Sequence, residues 1–245
     1  MSTFDTWMAF SNFSSSVQFK NRYIIDPESQ EFLDTLYQTA KQRIEILPKE
    51  GKLYRSQMGN DSRKSAIDEN DFYLYPVPFR KERMLPRRNI TKEGRANPKG
   101  ISVVYASNDV DTALSESKPW LGSLISLATL NIRRELRVIN FRTAEPFSKI
   151  FLNEPNDETK IEKVWSDIDR AFSQPVATSD DRADYTATQV ISEYFRSKGF
   201  DGIAYRSALG KGYNFALFDL ESINVLKCAL YVSDDVTYSF SRNST

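Results

Sequence analysis

The central part of the chain reads GRANPKGISVVYAS over residues 94–107 and ALSE over residues 113–116. Glycine and proline allow a sharp turn before the apolar run that ends in Tyr105, and that run predicts a β-strand. Asn108 or Asp109 can start a short helix after the strand, because both side chains cap helix N-termini well. Tyr105 and Glu116 are therefore predicted at neighbouring ends of a strand and a helix, facing one cleft.

Outward from this block, β-rich runs alternate with helical patterns. Helical spacing of apolar residues predicts helices over 26–46, around 161–172 and over 186–197. Runs rich in β-branched and aromatic residues predict strands at 53–56, 101–105, 124–132, 136–141, 202–206, 213–218, 223–226 and around 229–240. Residues 61–98 are rich in charge, proline and asparagine and are predicted to be a long loop. The pattern indicates an α+β protein with a mixed β core and flanking helices.

The same pattern divides the chain into three parts. Residues 1–50 are predicted to be an N-terminal helical extension that packs on the main domain, with Asp26 capping its helix and Pro27 in the first turn. Residues 51–230 form the predicted main domain, and residues 231–245 a C-terminal strand and tail. No repeat or low-complexity linker separates these parts.

Composition excludes several kinds of chemistry. The chain has no histidine, so a histidine base, a Ser-His-Asp triad and the usual zinc-water sites are excluded. Cys228 is the only cysteine, which rules out an intrachain disulfide and a Cys-x-x-Cys site. Catalysis must then use carboxylate, hydroxyl, arginine or backbone groups, and we expect no metal site.

Charge and hydropathy also limit the partners and the location. Acidic and basic residues number 33 each, so no net field draws the protein towards nucleic acid. A basic cluster lies within residues 80–92, but its interleaved acids favour a solvated surface over an RNA site. The N-terminus does not resemble a secretory signal, and no segment approaches the roughly 20 apolar residues of a membrane span. We therefore expect a cytoplasmic protein with neither nucleic acid nor membrane as a partner.

Three short motifs carry a family resemblance. They are LYRS at 53–56, the strand ending in Tyr105 with the following ALSE, and DGIAYRS at 201–207. In this order they resemble the RES-domain family, which is named after its arginine, glutamate and serine. Tyr185 and Gln189 also match the look of the family. The family is related to diphtheria-toxin-like ADP-ribosyltransferases, so the resemblance implies an ADP-ribosyltransferase-like fold.

The resemblance also implies a function and a set of site residues. It implies a toxin-like enzyme that removes nicotinamide from NAD, with water or inorganic phosphate as acceptor, so that NAD is a substrate and no cofactor is needed. Glu116 and Tyr105 are the implied catalytic residues, and Arg55, Arg95 and Ser207 the implied NAD-binding residues. The implied protein partner is a helix-turn-helix antitoxin, while the oligomeric state stays open.

The chemistry of NAD suits these residue types. The nicotinamide-ribose bond has a cationic leaving group, so its cleavage builds positive charge on the ribose, which a carboxylate can stabilise. Arginine offers a planar fork that matches phosphate oxygens. Each residue alone also has a purely structural interpretation, such as a surface ion pair or a helix-face carboxylate. Two other functions remain open: a mono-ADP-ribosyltransferase that modifies a protein, and a noncatalytic nucleotide-binding or interaction module.

Overall fold

The structure is a computed structural model that describes residues 3–66, 71–87, 91–143, 147, 151–174 and 185–237. Residues 238–245, which include the end of the predicted final strand and the tail, lie outside the described residues. Arg88 of the basic cluster also lies outside them. The predicted domain boundaries stay a prediction.

In the described chain, two helices precede residues 94–107 and three helices follow them. They are α1 Ala9–Phe19, α2 Pro27–Ala40, α3 Val110–Glu116, α4 Asp157–Ser173 and α5 Thr186–Ser197. The strands are β1 Ile44–Leu47, β2 Lys52–Met58, β3 Asp61–Ala66, β4 Phe72–Val77, β5 Val104–Ser107, β6 Leu124–Ile132, β7 Leu136–Asn140, β8 Gly202–Arg206, β9 Tyr213–Leu217 and β10 Ile223–Val232. Within the described ranges, three short 3-10 helices cover Lys41–Arg43, Lys81–Arg83 and Leu220–Ser222.

Eight of these strands form one mixed sheet in the order β1-β7-β8-β9-β5-β2-β6-β10. β7 and β8 run parallel, whereas the other neighbouring strands run antiparallel. β3 and β4 form a separate two-stranded hairpin. This arrangement confirms the predicted α+β class with a mixed β core and flanking helices.

The large sheet opens near its middle. β5 pairs with β9 along its whole length, and β2 pairs with β6 along its whole length. Between β5 and β2, however, the described register has the single pair Tyr54 and Ser107. Beyond that pair the two halves separate, because few backbone hydrogen bonds hold them together. The opening is where the candidate site lies.

The N-terminal 50 residues are integrated with the rest of the fold. Phe13 of α1 and Leu36 of α2 belong to the same buried cluster as Trp165 of α4 and Phe195 of α5. β1 pairs with β7 and forms an edge of the large sheet, with Leu47 opposite Leu136. The segment predicted as a helical extension thus supplies both core helices and a strand.

Several local predictions differ from the structure. Asp26 does cap α2, accepting a hydrogen bond from the Ser29 amide at 2.7 Å, but the helix ends at Ala40 instead of Ile46. Ile44 and Ile46, read as a continuation of the helix, instead belong to β1, where β-branched side chains fit a sheet edge well. Helix α1 was not predicted, because its serine-rich sequence hides the buried Phe13 and Val17.

The predicted loop over 61–98 contains regular structure. It includes the β3–β4 hairpin, in which the ammonium group of Lys64 lies 4.2 Å from the centre of the Phe72 ring. β5 begins at Val104 rather than Ile101. β10 is continuous, with a register irregularity between Val225 and Lys227 where the sequence indicated two separate strands.

Candidate active site

A cleft of about 330 Å³ lies where β5 and β2 separate. Its walls come from β2, the 94–97 turn, β5, α3 and the following loop, α5, β8 and β9. The lining residues are Tyr54, Arg55, Ser56, Gly94, Arg95, Tyr105, Ala106, Ser107, Ala113, Glu116, Ser117, Lys118, Tyr185, Tyr205 and Asn214. The cleft thus combines one carboxylate, three cations and four tyrosines.

Glu116 is the last residue of α3 and is held by two donors. Its Oε1 accepts hydrogen bonds from Ser207 Oγ and from Asn214 Nδ2, each at 2.6 Å. The helix begins at the predicted place, since the Asp109 side chain accepts from the Thr112 amide at 2.8 Å. In the described chain both hydrogen bonds to the carboxylate engage Oε1, so Oε2 is left for a molecule in the cleft.

Asn214 is fixed from its other side as well. The side chain is buried, and its Oδ1 accepts a hydrogen bond from Ser107 Oγ at 2.6 Å. Because this hydroxyl donates to the carbonyl end of the amide, the NH₂ end points to Glu116. Ser107 and Asn214 lie opposite each other on β5 and β9, so the sheet register itself aligns the chain from Ser107 to Asn214 to Glu116.

Ser207 lies behind Glu116 and outside the cleft lining. Its Oγ donates to Glu116 and accepts from the amides of Leu209 and Gly210 at 3.1 and 3.0 Å. Gly210 permits this turn to approach α3, because a Cβ there would lie 2.8 Å from the Thr112 Cα. The serine is therefore placed to orient the carboxylate, and its predicted contact with NAD stays a prediction.

Arg95 projects from a tight turn between Gly94 and Asn97. The Gly94 amide donates to the Asn97 carbonyl at 2.9 Å, and the Asn97 amide donates back at 3.3 Å. The Tyr105 hydroxyl donates to Asn97 Oδ1 at 2.7 Å and accepts from the Ala96 amide at 2.9 Å. Glycine is required at position 94, because a Cβ would lie 2.6 Å from the Tyr105 hydroxyl oxygen. Arg95 thus enters the cleft from a fixed backbone.

Arg55 lies on β2 at the opening of the sheet. Its Nη1 donates to the Tyr105 carbonyl at 2.8 Å, whereas its Nε is shielded from solvent and has no hydrogen-bond partner in the structure. No acidic side chain of the described residues pairs with it. Burial lowers the pKa of Arg55, and the nearby Tyr105 opposes this effect. A shielded cation without a counter-ion favours binding of an anion.

Two tyrosines of the cleft are neutral groups, of which Tyr205 is buried and Tyr105 is partly buried. Burial raises the pKa of Tyr105, against the opposing effects of its Ala96 hydrogen bond and of Arg95 and Arg55. Burial also raises the pKa of Tyr205, while a hydrogen bond and the positive charge of Arg95 oppose the shift. Both hydroxyls therefore stay protonated at neutral pH and act there as hydrogen-bonding groups.

The structure brings four of the five predicted site residues onto the cleft wall: Arg55, Arg95, Tyr105 and Glu116. The fifth, Ser207, contacts Glu116 directly. Their roles in substrate binding and catalysis stay predictions. Sequence reasoning did not assign a role to Asn214, although a polar amide within the apolar strand Tyr213–Leu217 is a signal for such a role. Lys118 and Tyr54 were also assigned no role, although Tyr54 lies within the LYRS motif, whereas no quoted motif includes Lys118.

Two further searches of the structure concern metals and membranes. Across the described ranges, no group of three or more Asp, Glu, Cys or His side chains is arranged to hold a metal ion. No helix in those ranges combines the length and the apolar character needed to cross a membrane.

Comparison with known proteins identifies the family. The sequence model of the RES domain matches residues 72–241, more than half of the chain, and the chain belongs to the RES-domain family. Arg95, Tyr105, Glu116 and Ser207 lie within the matched segment, whereas Arg55 precedes it.

No curated protein matched the sequence. A similar solved structure is a chain in the crystal structure of the M. tuberculosis MbcT-MbcA toxin-antitoxin complex, with 13% identity and a TM-score of 0.41, covering 80% of this chain and 91% of that chain.

Proposed function

We propose that the cleft binds NAD and that the protein cleaves the nicotinamide-ribose bond, passing the ADP-ribosyl group to water or inorganic phosphate. One observation carries the proposal: Arg55, shielded and without an acidic partner, opens onto the same small cleft as the positioned carboxylate Glu116. NAD presents the groups that these two residues need, namely an anionic pyrophosphate and a ribose on which positive charge develops.

The arginines account for pyrophosphate binding. Arg55 uses one Nη1 hydrogen on a backbone carbonyl and its Nε is shielded, which leaves the second Nη1 hydrogen and Nη2 as donors for a ligand in the cleft. Arg95 enters the same cleft from its turn. Two arginine forks match the oxygens of two linked phosphates, and hydrogen bonds between charged groups of this kind are the strong ones.

Glu116 accounts for cleavage. When the bond from C1′ of the ribose to the nicotinamide nitrogen breaks, its electron pair leaves with neutral nicotinamide and the ribosyl carbon becomes cationic. A carboxylate oxygen fixed beside that carbon stabilises the charge. The two donors on Oε1 hold the carboxylate before the reaction begins. Water or phosphate then forms the new bond to C1′, and water loses a proton to solvent in doing so.

The size and lining of the cleft suit one end of a dinucleotide. Small-molecule sites commonly measure about 300–1,000 Å³, so this cleft lies at the lower end of that range. The rings of Tyr54, Tyr105, Tyr185 and Tyr205 add aromatic surface against which a pyridine ring and a ribose can pack. The proposal therefore places nicotinamide and its ribose inside the cleft.

Family membership supports the wider biological role. As a RES-domain protein, the chain is proposed to be a toxin whose activity depletes NAD and whose partner is an antitoxin that covers the cleft. The helix-turn-helix character of that antitoxin and a cytoplasmic location belong to the same proposal. NAD is its substrate, and the proposal includes no cofactor and no metal.

Identification of reaction products tests the proposal. Purified protein is incubated with NAD, with and without inorganic phosphate and with and without a chelator. The products are then separated and identified by mass spectrometry. Free nicotinamide with ADP-ribose or its phosphate ester is the expected result, unchanged by the chelator. ADP-ribose attached to protein would favour the mono-ADP-ribosyltransferase alternative. Unchanged NAD with no measurable binding would contradict the proposal.

A further inference from the structure

We propose that Asn97 and Gln189 are positioning residues that hold the Arg95 turn in its phosphate-binding arrangement, with the Tyr105 hydroxyl as the third part of the device. We call these three groups the Arg95 clamp. The inference rests on the proposed function, since it concerns how the same cleft binds NAD.

Asn97 holds the turn from inside. Its side chain is fully buried, and its Nδ2 lies 2.9–3.1 Å from the backbone carbonyls of Lys92, Pro98 and Ile101. Its Oδ1 accepts from the Tyr105 hydroxyl. One side chain thus ties together both approaches to the turn and the adjacent strand β5. Such a fully bonded amide fixes a segment that has no regular secondary structure of its own.

Gln189 holds the turn from α5. Its Nε2 donates to the carbonyls of Gly94 and Asn97, at 3.0 and 3.1 Å, which are the two residues that also bond to each other across the turn. Helix α5 is itself anchored, because Ile191 and Phe195 are fully buried in the core. The turn is therefore fastened to α5 as well as to β5.

The clamp matters because Arg95 has no regular element of its own to direct it. A long side chain on a mobile turn loses more conformational entropy when it binds a ligand, and this loss weakens binding. A turn fixed before binding avoids that loss. The clamp groups do not need to touch NAD for this effect. Removing the hydrogen bonds of Gln189 should therefore weaken NAD binding through Arg95, with little change in the bond-breaking step.

The test uses Gln189→Met, which keeps the length of the side chain but removes both hydrogen bonds. Gln57→Met is the matched control, since Gln57 also donates to a backbone carbonyl, that of Arg83, but does not line the cleft. Equilibrium NAD affinity is measured in a Glu116→Gln background to prevent turnover, and kcat is measured with Glu116 intact. We expect Gln189→Met to weaken NAD binding about 10-fold, kcat to stay within about threefold, and the control to change neither.

A double-mutant cycle separates positioning from a general structural effect. If Gln189 acts through Arg95, Gln189→Met has almost no further effect on NAD affinity once Arg95→Ala is present. Equal losses in both backgrounds would overturn the clamp, and so would unchanged affinity in the single variant. If Gln189→Met does not fold, Gln189→Ala replaces it in the same cycle, with Gln57→Ala as its control. A wild-type protein that binds no NAD would instead contradict the proposed function, and the clamp with it.

Discussion

Two sets of cleft residues are held in different ways: Glu116 with Asn214, which we call the acidic wall, and Arg55 with Arg95, which we call the basic wall. On the acidic wall, the carboxylate of Glu116 is itself the hydrogen-bond acceptor for Ser207 and Asn214. On the basic wall, hydrogen bonds involve backbone groups instead. Gln189 donates to backbone carbonyls of the turn that carries Arg95, and Arg55 donates one hydrogen bond to a backbone carbonyl. Under the proposed function, the carboxylate is thus already oriented for the reaction, whereas the guanidinium groups keep N–H donors for an arriving anion.

This contrast has a physical reason. A carboxylate that stabilises a transient cation must already point at it, because reorientation during the reaction would cost part of the stabilisation. An arginine that binds phosphate needs free N–H groups, so its own side chain cannot be saturated by the protein. The acidic wall should therefore control turnover and the basic wall should control affinity, a division that the following predictions test.

The largest effect is expected for Glu116→Gln. The amide keeps the size of the side chain but removes the negative charge, and loss of one preorganised stabilising group lowers turnover on the order of 100- to 1,000-fold. NAD affinity should persist, since the proposed phosphate-binding arginines are unchanged in this variant. NAD consumption and thermal melting of this variant are compared with those of Glu135→Gln, which alters an exposed carboxylate elsewhere. Wild-type turnover by a normally folded Glu116→Gln would show that another group stabilises the cation.

Arg55→Ala and Arg95→Ala should act on affinity. Each removes charge-assisted hydrogen bonds to phosphate, worth about 1.5–3 kcal/mol, which corresponds to roughly 10- to 150-fold weaker NAD binding. Lysine at either position should restore only part of the affinity, because it lacks the planar fork. Arg63→Ala, on the exposed hairpin, is the control for loss of a positive charge. Full affinity in both cleft variants would remove phosphate binding from the basic wall.

Asn214→Ala is expected to have a smaller effect, and on turnover. It removes one of the two donors on Glu116 Oε1 and leaves the Ser107 hydroxyl without its partner. We expect turnover about 10-fold lower, NAD affinity nearly unchanged, and stability lower by about 1–3 kcal/mol because a buried polar group is left unsatisfied. Steady-state kinetics and urea unfolding check these values. A loss of affinity without loss of turnover would contradict the division between the two walls.

The sequence predicted which residues line the cleft better than it predicted the hydrogen bonds that hold them there. Arg95, Tyr105 and Glu116 lie in one compact motif whose turn, strand and helix are set by local signals such as Pro98 and Asp109. Local signals also placed α5 over Thr186–Ser197 and β6 over Leu124–Ile132 as the structure has them. Asn214 was not assigned a role, because its function depends on the register of β9 against β5, and register cannot be read from single strands.

The parts of the fold that sequence missed depend on long-range packing. Ile44 continues the apolar stripe of the preceding helix, and only pairing with β7 makes Ile44–Leu47 a strand. The opening of the sheet between β5 and β2 likewise follows from strand order, which no local motif contains. The hairpin at 61–77 was hidden because its charged and aromatic residues remain largely exposed, so it has no strong alternation of buried and exposed positions.

The last prediction concerns the hydrogen-bonded hydroxyl of Tyr105 and has the smallest effect. The pKa of folded Tyr105 is raised by burial above its unfolded value near 10, so below pH 10 the hydroxyl is protonated in both states and stability does not depend on its titration. As pH rises above about 10, the unfolded chain loses this proton while the folded protein keeps it, and stability falls by up to about 1.4 kcal/mol per pH unit for this group. Tyr105→Phe removes that contribution, so its free energy of unfolding should fall less steeply above pH 10 than that of the wild type, while the difference between the two proteins stays constant between pH 7 and 9. Urea unfolding across pH 7–11 measures both slopes. Parallel curves over the whole range would show that Tyr105 titrates alike in the folded and unfolded protein, and that burial does not raise its pKa.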